Sequence, residues 1–345
     1  MTVSPLRVLV LSDNRPGHFN LSKGIVAAVS RLQPVEATWL DTPRGRWPGL
    51  VVAGLINARV PPQHILKCVF GLNTKDIPPC DVIVSAGAET LGANIAIARI
   101  SNAPNLFYGS LRRFRADDFT LVLTSYLATG QPPNVIQALK PSERDPGLSQ
   151  PPEPEEGTRT YGLLVGGSTN GVAFQENDWA QLFTLLRETT TSQDIRWVVS
   201  NSRRTPDTVS DQLQALAATR ADGQPAVVSE FIDVRHKGSG TLDAFFDQSS
   251  AVLCTADSSS MISETVWAQR PLVTVAPAQF QLTGNERAYR EWIAANGWMV
   301  HANLADLSLE HLERCVRQIS TKRTNPADEL AGLIADKVPQ LRPRH

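Results

Sequence analysis

Short, nearly unbroken apolar runs recur along this chain, each leaving into a loop rich in Gly, Ser or Asn and then into a stretch of helical periodicity. In the first half the runs are 6–11, 81–85, 105–108 and 121–124, with helices expected over 20–32 and 89–100. In the second half they are 161–165, 195–200, 226–231, 251–255 and 272–275, with helices expected over 178–188, 207–218, 242–247, 261–268 and 286–295. Runs too apolar to face water on either side belong to parallel strands covered by helices on both faces. In open sheets of that kind ligands sit beyond the carboxyl ends of the strands, so the loops there hold the chemistry.

Residues 141–158, PSERDPGLSQPPEPEEGT, carry no periodic apolar pattern and read as an extended linker. They divide the 345 residues into a first Rossmann-like domain over 1–140 and a second over 159–325. Residues 326–345 are expected to form a tail or helix returning to the first domain. Apolar residues at 42% supply two cores, and 19% charged residues argue against general disorder. Residues 1–140 hold 14 Lys/Arg against 8 Asp/Glu, a balance of +6, and the remainder balances at −7. A basic first half favours an anionic partner, a phosphate-bearing acceptor or a membrane surface, as well as ordinary surface variation; no nucleic acid is implied.

The four cysteines are scattered, with no Cys-x-x-Cys pair, which fits a reducing compartment. No segment has the roughly 20 apolar residues of a membrane span, and the start reads as a strand rather than a signal peptide. A cytoplasmic protein is expected, peripheral on the inner face of the membrane if it touches one. For that contact the candidate is the apolar stretch 50–56, flanked by Arg44, Arg46, Trp47, Arg59 and Lys67, which fits an anionic interface or a core helix equally.

Several strand-end loops carry candidate side chains. Ser12-Asp13-Asn14-Arg15-Pro16-Gly17-His18 leaves the first strand, and His18 has a ring suited to accepting a proton from a hydroxyl. Gly87 and Glu89, after the run at 81–85, fit an ordinary strand-to-helix turn or an acceptor contact. Gly166-Gly167-Ser168-Thr169 offers backbone N–H groups and hydroxyls to phosphate oxygens without being a Walker A loop or a dinucleotide fingerprint. Arg203 and Arg204 stand at the end of the 195–200 run, able to neutralise a phosphate. The richest loop is Thr255-Ala256-Asp257-Ser258-Ser259-Ser260-Met261, where hydroxyls meet a helix N-terminus suited to a diphosphate. Glu264, a turn further on, is placed to accept from ribose hydroxyls.

SDNRPGH at 12–18, GGST at 166–169, SNSRRTP at 200–206 and TADSSSMISE at 255–264 resemble the ELM1-like family, classed among glycosyltransferases, found in bacteria and with plant members linked to mitochondrial fission. The resemblance runs through nearly the whole chain. It implies a GT-B fold, an α/β architecture of two Rossmann-like domains with parallel sheets facing a central cleft. Inverting GT-B enzymes such as the peptidoglycan N-acetylglucosaminyltransferase carry a Gly-His pair in the first-strand loop, matched by Gly17-His18, and a Gly-rich loop and ribose-binding Glu, matched by Gly166-Gly167 and Glu264. The first loop departs from theirs in carrying Asp13, Asn14 and Arg15 instead of several glycines, which leaves either Asp13 or His18 as the base.

The expected activity is glycosyl transfer, metal-independent and inverting, from a nucleotide-diphosphate sugar, a UDP-sugar first, to a lipid-linked or cell-envelope acceptor. No cofactor is implied, and without an Asp-x-Asp motif or a spaced set of histidines no metal is expected. Two alternatives are a GT-B-type nucleotide-sugar epimerase, using Asp13 and Glu89 as acid and base, and a non-catalytic scaffold of the same fold.

Overall fold

The computed structural model describes residues 4–127, 130–148, 159–193, 195–218, 226–237 and 242–342. The chain divides into two compact units, Met1–Glu143 with Pro326–His345, and Arg144–Asn325.

The first unit is built on six strands, β1 (Leu6–Ser12), β2 (Val35–Asp41), β3 (Val82–Ala86), β4 (Asn105–Tyr108), β5 (Leu121–Thr124) and β6 (Val135–Gln137). All pair in parallel, in the order β2-β1-β3-β4-β5-β6. The centre is formed by the runs legible in the sequence. Val8 to Leu11 and Val82 to Val84 are buried on both faces, each such side chain contributing about 1.5–3 kcal/mol by leaving water. The helix Pro326–Lys337 packs on the helix Pro16–Ser30, with Arg31 and Asp328 paired at 2.6 Å.

The second unit has β7 (Arg159–Leu164), β8 (Val172–Ala173), β9 (Ile195–Ser200), β10 (Val228–Ile232), β11 (Ala251–Thr255), β12 (Leu272–Ala276), β13 (Gln279–Phe280) and β14 (Met299–Asn303). Six form a parallel sheet in the order β10-β9-β7-β11-β12-β14, while β8 and β13 make a short antiparallel pair beside it. Trp197 anchors the core, its ring edge-on to Tyr161 and its indole N–H donating to Thr189 at 2.9 Å.

Several expectations are corrected. The first helix begins at Pro16, because proline at the first helical position lacks only an N–H that has no helical partner there; Gly17 and His18 therefore lie in a helical turn, not in the loop. The helix after β3 begins at Leu91, so Glu89 precedes it. The helix after β11 begins at Ser259, which brings Ser259 and Ser260 into its first turn. Of the expected linker, 141–148 is packed: Pro141 lies against Gly24, Lys23 pairs with Glu143 at 3.3 Å, and Trp267 donates to the Arg144 carbonyl at 2.8 Å. The rest, 149–158, lies outside the described residues.

Candidate functional site

Each sheet reverses its winding once, between β1 and β3 in the first unit and between β7 and β11 in the second. At such a switch point the connections depart to opposite sides and leave a crevice at the carboxyl ends. The candidate residues collect at these two places.

In the first unit Ser12 ends β1 and its hydroxyl accepts from the Asn14 N–H at 3.0 Å. Asn14 takes a left-handed φ of 62°, a conformation asparagine tolerates better than most residues. That kink turns the Asp13 carboxylate inward, where it is 4% exposed and accepts from the Arg15 N–H at 3.2 Å and from His18 Nδ1 at 2.7 Å. The His18 ring lies against Gly87, which has φ 88° and no room for a Cβ between its backbone and the imidazole. With Nδ1–H donated to the carboxylate, Nε2 is left as the ring's acceptor. Asn14, Arg15 and Gly17 are exposed around the pair. Glu89 is tied to Arg44 at 2.9 Å.

In the second unit β7, β9 and β11 send their loops into one ledge. Gly166 N–H donates to Thr255 Oγ1 at 2.7 Å; Thr255 Oγ1 donates to Asp257 Oδ1 at 2.7 Å; and Arg204 Nη2 donates to Asp257 Oδ2 at 2.6 Å. Thr205 Oγ1 closes the ledge onto the Gly166 carbonyl at 2.7 Å. Gly166 and Gly167 are required here, since a Cβ on either would run into the Asp257 carboxylate or the Arg204 carbonyl. Thr255 and the Asp257 carboxylate thus face the inside of the ledge, the carboxylate 0% exposed, while the Arg204 guanidinium is 46% exposed. Ser168, Thr169, Arg203 and Ser260 are exposed. Ser258 caps the helix Ser259–Trp267 by accepting from the Met261 N–H at 3.4 Å, and Glu264 stands half-buried one turn along. The first turn of this helix places backbone N–H groups at the positive end of the helix dipole.

A further cluster escaped the sequence reading because its members look like ordinary loop residues. Asn201 is buried, donates to Asp233 at 2.8 Å and accepts from the Val234 N–H at 2.8 Å, so it fastens β9 to the end of β10. Hydrogen bonds from the Arg235 guanidinium, with those of Asn201 and the Arg235 backbone N–H, hold the Asp233 carboxyl at about 2 against its ordinary 3.8. A depressed carboxyl stabilises the fold above its unfolded value and loses that contribution as pH falls toward the folded one. Asp233→Asn is therefore expected to lower the unfolding free energy by about 2 kcal/mol at neutral pH. The difference from wild type should shrink below pH ~4 and vanish near pH ~2; denaturant titrations across that range check it, and a gap independent of pH would contradict it.

Two parallel six-stranded sheets wound in these orders, each with its polar loops at the switch point, define the GT-B fold. The chain belongs to the mitochondrial fission ELM1 family, whose sequence profile matches residues 16–337. Among solved structures it is similar to the Listeria monocytogenes protein assigned as a UDP-N-acetylglucosamine 2-epimerase, with 12% identity, TM-score 0.55, and coverage of 98% of this chain and 97% of that one. It is also similar to Acinetobacter baumannii MurG, with 14% identity, TM-score 0.51, and coverage of 97% and 100%. A third is S. aureus MnaA solved with UDP, with 12% identity, TM-score 0.54, and coverage of 96% of both chains. No curated protein sequence matches the chain.

Proposed function

We propose that the protein is an inverting glycosyltransferase that uses a nucleotide-diphosphate sugar without a metal. The observation that carries this reading is the Asp13–His18 pair at the first switch point, an imidazole with its orienting carboxylate bonded at Nδ1 and its Nε2 left to accept a proton. In the proposed step Nε2 takes the acceptor's hydroxyl proton as that oxygen bonds to the sugar C1. The C1–O bond to the diphosphate breaks, and its electron pair leaves on the phosphate oxygen. Asp13 holds the tautomer and steadies the imidazolium, which makes His18 the base in this reading and Asp13 its positioning residue.

The departing charge is assigned to the second unit. The Gly166–Thr169 turn, the Ser258–Met261 helix start and Arg204, with Arg203 exposed beside it, gather donors where a diphosphate needs them. Glu264 is the ribose ligand. The fold is shared with a protein solved with UDP, which makes UDP-sugars the first donors to test. A lipid-linked or cell-envelope glycan is the acceptor class to test. The epimerase reading is weaker because Glu89, its second carboxylate, is engaged by Arg44.

Calorimetry with a panel of UDP-, GDP-, ADP-, TDP- and CMP-sugars tests the donor site. Selective binding is expected, with the dissociation constant raised about tenfold or more, ~1.4 kcal/mol, in Glu264→Ala. Binding unchanged in that variant would remove Glu264 from the site. No binding to any member would turn the reading toward a scaffold, and a new sugar formed without acceptor would turn it toward an epimerase.

A further inference from the structure

The helix Gly49–Asn57, GLVVAGLIN, contains no charged residue, and only one side of it is needed for the core. Val52, Ala53 and Ile56 are buried. Leu50 is 63% exposed and Val51 41%, and Gly54 is exposed on the same side. Positions 50, 51 and 54 form a stripe on one face of this helix, and Trp47, 39% exposed, lies in the extended segment just before it. The Trp47 indole N–H donates to the Cys68 carbonyl at 3.0 Å, which satisfies its polar atom while the residue stays partly exposed.

The basic residues around this stripe fall into two kinds. Arg44 is held by Glu89, and Arg59 by Asp118 at 3.2 Å. Arg46, Lys67, Arg112 and Arg113 are exposed and have no ion pair among the described residues. Arg112 and Arg113 come from the β4–β5 connection, yet share a shallow hollow with Leu50, Ala53, Gly54 and Asn57. Asn57 Nδ2 pins that connection by donating to the Arg113 carbonyl at 3.0 Å, and Arg112 sits at φ 55°, a conformation few side-chain-bearing residues adopt.

We propose that this face, the Trp47-Leu50-Val51 stripe with Arg46, Lys67, Arg112 and Arg113 beside it, docks on an anionic phospholipid bilayer. A lipid interface accepts both halves at once: apolar side chains enter at the level of the acyl boundary while cations stay among the phosphates. A second copy of the same face would set cation against cation. Among the described residues no helix is long and apolar enough to cross a membrane, so the contact is with the surface.

The experiment is co-sedimentation of the full chain with vesicles of mixed phosphatidylglycerol and phosphatidylcholine, and with phosphatidylcholine alone. Binding is expected only to the anionic vesicles and is expected to weaken with salt. Each cation near such a surface strengthens binding about fivefold, so Arg112→Gln with Arg113→Gln should lower the partition coefficient about 25-fold. Leu50→Glu should weaken it at least as much. All three positions are exposed, and a melting curve for each variant shows that it folds; should Leu50→Glu fail to fold, the double glutamine variant decides alone. No sedimentation, equal binding to both vesicle types, or binding indifferent to the double variant would overturn the proposal. So would a concentration-dependent dimer, abolished by Leu50→Glu, in place of vesicle binding.

Discussion

His18→Ala is expected to lower the rate of sugar transfer by roughly a hundredfold to ten-thousandfold, the range a positioned general base contributes. Donor affinity should stay within about twofold of wild type, because the side chains proposed for the donor belong to the other unit and a base acts on the acceptor proton. The pairing with Asp13 makes a sharper prediction. Asp13→Asn keeps the volume but puts an N–H where Oδ2 now accepts, so the amide either repels Nδ1–H or shifts the ring proton to Nε2, the position that has to stay free. The asparagine variant should thus be about as slow as His18→Ala, and the double variant no slower than either, since the two groups act together. Release of nucleoside diphosphate from the donor that calorimetry selects, with and without a membrane-extract acceptor pool, provides the assay. If His18→Ala keeps its rate within threefold, or if Asp13→Asn is fast while His18→Ala is slow, the base assignment or the orienting role fails.

Gly87 belongs to the same argument. Its φ of 88° and its contact with the imidazole leave no space for a methyl group, so Gly87→Ala should displace His18 and reproduce much of the loss without touching a titratable group. No sequence rule pairs Gly87 with His18. Gly87 lies on the connection after β3 and His18 in the first turn of the helix after β1, and they meet because β1 and β3 are neighbours across the switch point.

This marks where the sequence stops being legible. Central strands such as β1, β3, β7 and β11 are buried on both faces and therefore appear as apolar runs. The edge strands β2 and β14 are partly open to water, carry the exposed Glu36, Asp41 and His301, and leave no such run. At the sites, residue types were legible and pairings were not. Asp13 and His18 read as rival bases until the Asn14 kink turned one onto the other. Asp257 reads as a phosphate-loop side chain, and its burial against Gly166 follows from three strands ending at one level. The apolar stretch at 50–56 fits either a core or an interface by composition; the helix serves the core with one face and leaves the other in water.

Arg204→Gln is expected to weaken binding of a nucleoside diphosphate by roughly ten- to a hundredfold, the worth of one charge-assisted hydrogen bond. Two effects act in the same direction. The variant loses a cation beside the Gly166 turn, and it leaves the buried, negative Asp257 carboxylate to the Thr255 hydroxyl at the place proposed for the diphosphate. An uncompensated buried carboxylate also destabilises the fold, by about 1–3 kcal/mol once its charged partner is gone. Adding Asp257→Asn removes that charge, so the double variant should recover stability while affinity for the diphosphate stays low. The free nucleoside separates this from the ribose contact. Glu264→Ala should weaken nucleoside and nucleoside diphosphate by the same factor, whereas Arg204→Gln should spare the nucleoside. Equal loss for both ligands in Arg204→Gln would mean that the ledge itself had collapsed, and Arg204 would then be a structural brace and not a phosphate ligand.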